Sequence, residues 1–296
     1  APTQFIDVTI VPEIDSTLIA SEERRVNAVT ESTQSDPQVA ELLGGGVVVI
    51  WTSTNQDNLG EGNFGVFGQL FDANGVPVGP EFGVNTTTVN EQGEHTVAAT
   101  ADGGFVVAWE ARNQDNPPDN DFGIIAQRFD ASAETQGGEV EVNTNAAFSQ
   151  FSPQVAAFVD GGFVVTYISD SGDGSDDAII SQRFDAAGVA VGAETTVNTV
   201  TVTNNQSQPD VAALVDGSGN NDGHVIVWTS FASVVEGDGA RNGVFAQRFD
   251  ATGAAVGTEF QVNTFTFDDQ SQPSVVGLTG GGFVVAWTDD TQDGSI

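Results

Sequence analysis

The chain repeats one pattern five times, and this period constrains the fold more than any local signal does. Each copy has an apolar run that ends in an aromatic residue. These residues are Trp51, Trp109, Tyr167, Trp228 and Trp287, separated by 58, 58, 61 and 59 residues. A fixed period of this length indicates that one supersecondary unit is copied and stacked. The chain is therefore predicted to be a repeat array.

Residues 150–199 show what one unit contains. A short first strand leads to a tight Asp-Gly-Gly turn at 160–162, where glycine supplies the positive φ that hairpin turns need. The run 163–167 is apolar without alternation, which is typical of a strand covered on both faces. Two further strands follow at 178–184 and 195–199. Four short antiparallel strands without a helical period predict the blade of an all-β propeller.

The two termini together predict a closed ring. The last unit ends after two strands, and the missing half is found at the other end of the chain. Residues 23–30 align with the fourth strand at 259–266, and residues 8–15 overlay the third strand at 244–250. N-terminal strands that complete the last blade leave no free sheet edge at the seam. The prediction is a five-bladed β-propeller of four-stranded antiparallel blades, closed in this way.

A propeller of this size is one domain. We expect a single domain over 1–296, with blades at about 31–88, 89–146, 147–203, 204–266, and 267–296 completed by 1–30.

The composition excludes several kinds of covalent link, metal site and membrane association. Cysteine is absent, which excludes disulfides and thiolate metal sites. No apolar run approaches 18 residues, so membrane insertion is not expected. Methionine is absent, so Ala1 is not a translational start, and we expect a processed chain or part of a longer protein.

The charge is strongly acidic. Seven arginines, no lysine and 42 carboxylates give a net charge of −35. Nucleic acid and anionic membranes are therefore poor partners. Salt screens the self-repulsion of such a surface, so one interpretation is adaptation to a saline exterior. The other interpretation is calcium bound by the carboxylates.

Two acidic segments carry the calcium hypothesis. Calcium takes six to eight oxygen ligands, which carboxylates and backbone carbonyls of a flexible loop provide. The first segment is the loop 170–177, and the second, 216–223, has oxygen-bearing side chains at relative positions 1, 3, 5 and 7. The second is also interpreted as an enlarged hairpin, longer than its siblings. The candidate calcium ligands are Asp170, Asp173, Asp176, Asp177, Asp216, Ser218, Asn220 and Asp222.

The motif Gln-Arg-Phe-Asp recurs on third strands and contains Arg128, Arg183 and Arg248, with Leu70 as a variant. A guanidinium is a fork-shaped donor that suits a carboxylate. We expect each arginine to pair with a carboxylate on the adjacent strand or blade, and the alternative is an anionic ligand.

The second unit departs most from the others. His95 stands where its siblings have proline, and Glu110 follows the tryptophan where they have threonine or isoleucine. Glu94, His95, Glu110 and Arg112 are thus predicted to lie on one face of one blade. Two carboxylates beside a funnel are what glycoside hydrolysis needs. The opposite expectation is that Glu94 and Glu110 are exposed, too far apart to cooperate, and that the chain has no catalytic site.

The unit as a whole combines Q-x-x-P-x-V-A-x-L-x-D-G-G-F-V-V-x-W with G-V-F-x-Q-R-F-D-A-x-G and E-F-x-V-N-T. It resembles repeats of very large secreted bacterial proteins, the RTX or haemolysin-type calcium-binding and adhesin-like proteins. The resemblance covers residues 30–296 and implies an extracellular or cell-surface location. The nonapeptide G-G-x-G-x-D repeats of those proteins do not occur here.

The function expected from these features is secreted, non-enzymatic adhesion or recognition. Equivalent clefts between blades offer several weak sites, whose avidity multivalency raises. The expected partner is carbohydrate or another extracellular protein. One alternative is a structural subunit of an extracellular matrix, surface layer or filament, formed by self-assembly, and the second is a glycoside hydrolase built on the second blade.

Overall fold

The structure is a computed structural model that describes most of the chain. It describes the backbone of residues 7–8, and then residues 23–56, 63–114, 121–145, 148–170, 176–199, 205–231, 242–265 and 268–290. The regular secondary structure in these ranges consists of β-strands. Accordingly, none of the described residues belongs to a helix of the length and apolarity that membrane crossing requires.

Four sheets are complete, and each is a run of four antiparallel strands in sequence order. The first sheet comprises β3 (Gln34–Glu41), β4 (Val47–Thr54), β5 (Phe64–Phe71) and β6 (Pro77–Gly83). The second comprises β7 (Gln92–Ala99), β8 (Phe105–Arg112), β9 (Phe122–Phe129) and β10 (Val140–Glu141). The third comprises β11 (Gln150–Ala157), β12 (Phe163–Ser169), β13 (Ala178–Phe184) and β14 (Ala190–Thr196). The fourth comprises β15 (Gln206–Val215), β16 (Asn221–Ser230), β17 (Gly243–Phe249) and β18 (Ala255–Gln261).

Two further sheets have two strands each among the described residues. The fifth sheet pairs β19 (Gln270–Gly277) with β20 (Phe283–Asp289), and the N-terminal pair joins β1 (Asp7–Val8) to β2 (Arg24–Arg25). The predicted fold class is confirmed as all-β, since the chain forms four-stranded antiparallel sheets of the propeller kind, whereas the count of five blades stays a prediction. The single domain over 1–296 and the blade boundaries stay predictions.

The second strand of each complete sheet is buried on both faces. In β8, Val107 and Trp109 pack against the first sheet, whereas Val106 and Ala108 pack against the third. Successive side chains of a strand point to opposite faces, so an apolar run without alternation joins two neighbours at once. At the turn before β8, a Cβ on Gly104 would collide with a backbone carbonyl, so only glycine fits there.

The first strands contact one another in succession, from β3 through β7, β11 and β15 to β19. The sheets therefore form a row of blades whose first strands line one side. Because the first strands lie side by side, equivalent positions of these strands lie next to one another along this side of the row.

A glutamate at the fourth strand of each sheet holds the sheet before it, a contact that we call the glutamate latch. Glu139 accepts hydrogen bonds from the backbone N–H of Thr86 at 2.5 Å and from the Thr87 hydroxyl at 2.9 Å. Burial raises the pKa of Glu139, but the hydrogen bonds from Thr86 and Thr87 outweigh this effect and lower the pKa below its ordinary value. The other latches join Glu81 to Ala28 N–H, Glu194 to Thr144 N–H, and Glu259 to Thr199 N–H.

The N-terminal pair lies against the first sheet as a preceding blade would. Val26 packs with Val49, Trp51 and Phe71, as Val84 packs on the second sheet. The register of β1 on β2 pairs Asp7 with Arg25 and Val8 with Arg24, which is two residues away from the register that the overlay of residues 8–15 on 244–250 predicts, whereas β2 itself lies at the aligned position of β18. This supports the assignment of residues 23–30 to a fourth strand.

Closure of the ring itself stays a prediction. Among the described residues no hydrogen bonds join β1 to β20, and residues 9–15 lie outside the described part. One face of the fifth sheet packs on the fourth through Val275 and Val285. Its other face is open, with Val276 58% and Val284 51% exposed. Among the described residues, no strand packs on this face of the fifth sheet.

Candidate active site on the second sheet

Each of the five first strands carries a β-bulge at the same place, where a residue other than glycine has a positive φ. The residues and angles are Asp36 (54°), Glu94 (38°), Ser152 (53°), Gln208 (53°) and Gln272 (54°). A left-handed backbone costs such a residue about 1–3 kcal/mol and is over-represented at active sites. Bulges also re-aim side chains next to such sites. Because the first strands lie side by side, the five bulges form one arc.

Glu110 lies beneath this arc, on β8. It directly follows the buried Trp109, and it is only 9% exposed. Its Oε1 atom accepts a hydrogen bond of 2.7 Å from the backbone N–H of Ser152, which belongs to the bulge of the third sheet. Glu110 therefore bridges the cleft between the second and third sheets.

The environment of Glu110 favours its protonated form. Burial raises its pKa to about 7, the hydrogen bond from Ser152 opposes the rise, and the negative charge of Glu94 adds to it. Glu94 is exposed and stands on the bulge of the second sheet. Two carboxyl groups in different surroundings thus lie close enough to affect each other electrostatically. Such a pair is what acid–base chemistry requires, because one carboxyl is kept protonated beside an ionised one.

His95 extends the cluster toward the first sheet. Its Nδ1 atom lies 3.2 Å from the Thr52 hydroxyl, and the ring is 6% exposed. Burial lowers the pKa of His95 to about 4, although the charge of Asp36 opposes this effect. The imidazole is therefore neutral near pH 7, and Asp36 is the third carboxylate that this part of the arc brings near the site.

Arg112 was predicted to lie with Glu94, His95 and Glu110, but the contacts of its guanidinium are with other residues. Its guanidinium forms a salt bridge of 3.3 Å with Glu91 and lies 5.8 Å from the centre of the Phe122 ring. The structure thus brings Glu94, His95 and Glu110 together and adds Asp36, Thr52 and Ser152, which the sequence analysis missed. One sequence signal could have grouped Asp36 and Ser152 with Glu94, because each of the three stands two residues after the glutamine that begins a first strand.

The candidate calcium ligands are not gathered into one site. Asp173 lies outside the described residues, and Asp170, Asp176 and Asp177 lie at the margins of the same gap. Asp216 accepts hydrogen bonds from the N–H groups of Ser218 and Asn220, at 2.7 and 2.9 Å, so its carboxylate holds the turn. Asp222 instead forms a salt bridge of 2.6 Å with Arg248. The enlarged-hairpin interpretation of 216–223 fits these contacts.

No metal cluster of three or more histidine, cysteine, aspartate or glutamate side chains occurs where the structure describes the chain. Calcium in the loop 170–177 stays a prediction.

Comparison with known proteins finds neither a matching family model nor a matching curated protein. Solved structures do match. An α-L-arabinanase of Penicillium chrysogenum complexed with arabinobiose is 14% identical, with a TM-score of 0.55, over 96% of this chain and 80% of that one. A GH93 α-L-arabinofuranosidase of Fusarium graminearum with arabinobiose is 14% identical, with a TM-score of 0.55, over 84% of this chain and 73% of that one.

These similarities establish the fold, and they correct the assignment to RTX or haemolysin-type proteins, which was wrong. The two structures described above are glycoside hydrolases and not calcium-binding adhesins. The physical reason is that the repeated motifs encode the strands, turns and clefts of a propeller blade. These motifs determine the fold and do not indicate the function of the protein that contains them.

The expectation of a non-enzymatic adhesion module was also wrong. Its premise was that Glu94 and Glu110 are both exposed and too far apart to cooperate. Glu110 is buried, its pKa is raised, and Glu94 is near enough to contribute to that rise. The two matching structures described above are likewise glycoside hydrolases and not adhesion modules.

Proposed function

We propose that the chain is a glycoside hydrolase whose active site lies at the arc of bulges on the second sheet. The observation that carries the proposal is the buried Glu110, whose pKa of about 7 is raised in part by Glu94. Hydrolysis of a glycosidic bond needs a carboxylic acid that protonates the leaving oxygen and a second, ionised carboxylate. Glu110 supplies the acid, and Glu94 supplies the second carboxylate.

The surroundings of each group fit these roles. Glu110 is shielded from water, and the Ser152 N–H fixes the orientation of its carboxyl group across the cleft. Glu94 is exposed on a strained bulge and can therefore face a substrate. His95 is neutral and buried beside Glu94 in the sequence, and its contact with Thr52 holds this bulge against the first sheet. We assign His95 a positioning role.

We further propose an extracellular polysaccharide as the substrate, with arabinan as the first candidate. Two propellers of this architecture were solved with arabinobiose. A net charge of −35 suits an exposed, saline environment and disfavours polyanionic substrates. Linear arabinan is neutral and meets this condition.

The test is reducing-sugar release by the purified chain from linear arabinan, branched arabinan, xylan and galactan. We expect release from at least one of them, with arabinan favoured. The matched control is Glu134→Gln, which removes an exposed carboxylate from an outer turn of the same sheet and should leave the rate unchanged. Absence of release from all four polysaccharides contradicts the proposal.

The pH profile provides a further prediction. A general acid acts only while protonated, and the pKa of Glu110 is raised to about 7. The value of kcat/KM should therefore stay high up to about pH 7 and fall tenfold per pH unit above it. An ordinary, exposed glutamate acid would give a fall that begins near pH 4.5. A profile that declines from pH 4.5 upward excludes Glu110 as the acid.

A further inference from the structure

Aromatic rings fill the cleft between the first and second sheets. The ring centroid of Phe82 lies 6.0 Å from that of Phe105 and 5.9 Å from that of Phe129. Phe105 and Phe129 stack on each other at 4.9 Å. Phe82 fits because its cross-strand partner is glycine, since a Cβ on Gly68 would lie 2.6 Å from the ring.

The cleft between the third and fourth sheets has polar groups at two of the three ring positions. Thr195 holds the register position of Phe82, and His224 holds that of Phe105. Phe249 keeps the third ring, and the imidazole of His224 stacks on it at 4.8 Å. Two departures from the repeat thus meet in one cleft.

These exchanges leave a cavity of about 330 Å³ between the two sheets, which falls within the range of small-molecule sites. Thr195, at its rim, is exposed to solvent. The side chains that line the cavity include Ser181, Arg183, Thr195, His224, Phe249 and Thr252. Three hydroxyls, the Arg183 cation, the His224 imidazole and the Phe249 ring therefore surround the same space. The lining also includes Glu194, whose carboxylate accepts hydrogen bonds from Thr144 and Tyr167.

The arginine of this cleft differs from its two equivalents. Arg128 forms a salt bridge of 3.0 Å with Asp102, and Arg248 forms one of 2.6 Å with Asp222, as the sequence predicted. The equivalent of Asp102 in the third sheet is Asp160. Its Oδ2 atom instead accepts a hydrogen bond of 2.7 Å from the Nδ2 atom of Asn221.

Asn221 belongs to the enlarged hairpin 216–223, so this hairpin occupies the carboxylate that Arg183 would otherwise pair with. The guanidinium of Arg183 donates to the carbonyl of Ala251 at 2.9 Å and lies 5.1 Å from the centre of the Phe158 ring. It forms no salt bridge with any described residue. Arg183 thus lines the cavity without a carboxylate partner among the described residues, and its guanidinium is a cationic group that an anionic ligand would meet there.

His224 is the second group in the cavity wall whose polar atoms are unused. It is 1% exposed, and neither ring nitrogen has a hydrogen-bond partner in the described part of the chain. Burial lowers its pKa to about 3, and the charge of Arg183 contributes to this shift. The ring is neutral near pH 7 and offers one donor and one acceptor. An unpaired buried polar group is costly unless a ligand or water satisfies it.

We propose that the cleft between the third and fourth sheets binds a small carboxylate that also carries hydroxyl groups, such as a sugar acid. Arg183 binds the carboxylate, which suits the forked geometry of a guanidinium. Ser181, Thr195 and Thr252 supply hydroxyls for the ring substituents of the ligand. The site lies between other sheets than Glu110 does, and it does not depend on hydrolysis.

The test is isothermal titration calorimetry at 0.15 M NaCl with D-galacturonate, D-galactose and acetate as probes. We expect saturable binding of galacturonate at one site per chain and binding at least about tenfold weaker for the other two, because each of them lacks one of the two kinds of group that the cavity would recognise. Galactose lacks the charge, and acetate lacks the hydroxyls. Equal binding of galactose contradicts the role of Arg183, and no saturable binding of galacturonate overturns the proposal.

Variants place the binding in the cleft. Thr195→Phe places a ring where the cleft between the first and second sheets has Phe82, and it should abolish binding. Arg183→Leu introduces the residue that the first sheet has at the equivalent position, Leu70, and should weaken binding about tenfold. The matched control Arg128→Leu removes an equivalent arginine that is already paired, and it should bind as the wild type does. Binding that survives Thr195→Phe overturns the site. Glu110→Gln should bind galacturonate unchanged, which keeps this test separate from the proposed hydrolase.

Discussion

Replacement of Glu110 by glutamine is expected to lower kcat for glycoside hydrolysis by about 10²–10⁴-fold, because general acid catalysis contributes an effect of this size. The amide keeps the shape of the side chain and still accepts the hydrogen bond from Ser152, but it cannot give a proton to the leaving oxygen. The measurement is the steady-state rate on the best polysaccharide of the screen. A rate within threefold of the wild type would remove Glu110 from the mechanism.

The same variant should be more stable than the wild type in alkaline buffer, which excludes misfolding as the cause of lost activity. The pKa of Glu110 is higher in the folded chain than its ordinary value of 4.5. The folded state is therefore not penalised below pH 4.5 and loses stability as pH rises through about 7. Glutamine lacks this penalty, which is on the order of 3 kcal/mol. Urea unfolding at pH 4 and pH 8 should show a gain at pH 8 and little change at pH 4.

Deletion of residues 1–30 is expected to reduce the free energy of unfolding by an amount on the order of 5 kcal/mol, because apolar side chains buried on the first sheet become exposed. The deletion removes Val26 from its contact with Trp51 and Phe71, the hydrogen bond from Ala28 to Glu81, and the N-terminal pair of strands. The measurement is urea unfolding, with deletion of residues 1–6 as the control. Equal stability of the two deletions would contradict a structural role for residues 7–30.

The glutamate latch allows a finer test of ring closure. Glu81, Glu139, Glu194 and Glu259 each hold the preceding sheet, and Glu23 is the fifth residue of this series in the sequence. If the ring closes, Glu23 should accept a hydrogen bond from the backbone of Thr264.

Glu23→Ala should then destabilise the chain about as much as Glu139→Ala does, roughly 1–3 kcal/mol for a lost hydrogen bond to a charged group. The exposed Glu134→Ala provides the baseline. If Glu23→Ala matches that baseline instead, residues 23–30 do not close the ring.

The second strand of each unit was predictable from sequence because two local signals indicate it. An apolar run such as 105–109 specifies a strand buried on both faces, and the glycine before it permits the turn. Both signals are local, so five imperfect copies were enough to fix the sheet order. The arginine contacts of Arg128 and Arg248 were predictable for the same reason, since their partners lie on the adjacent hairpin.

The candidate site was only half predictable, because burial of Glu110 depends on the neighbouring sheet. The sequence shows that Glu110 breaks the repeat, but not that Ser152 of the next unit approaches it. One signal was present: the same position holds Ile168 in the third unit, and a site that accepts isoleucine is not fully solvated. The latch glutamates were missed although each stands three residues before a recurrent Val-Asn pair.

The glutamate latch has an evolutionary consequence. Every link joins a glutamate to a backbone N–H in the same direction, from the fourth strand of one sheet to the equivalent position in the segment that follows the fourth strand of the sheet before it. A duplicated unit carries one half of the link at each end, so it can be inserted anywhere in the row and finds a compatible neighbour on both sides. The number of blades in such a lineage can thus change by whole copies, without the invention of any new interface.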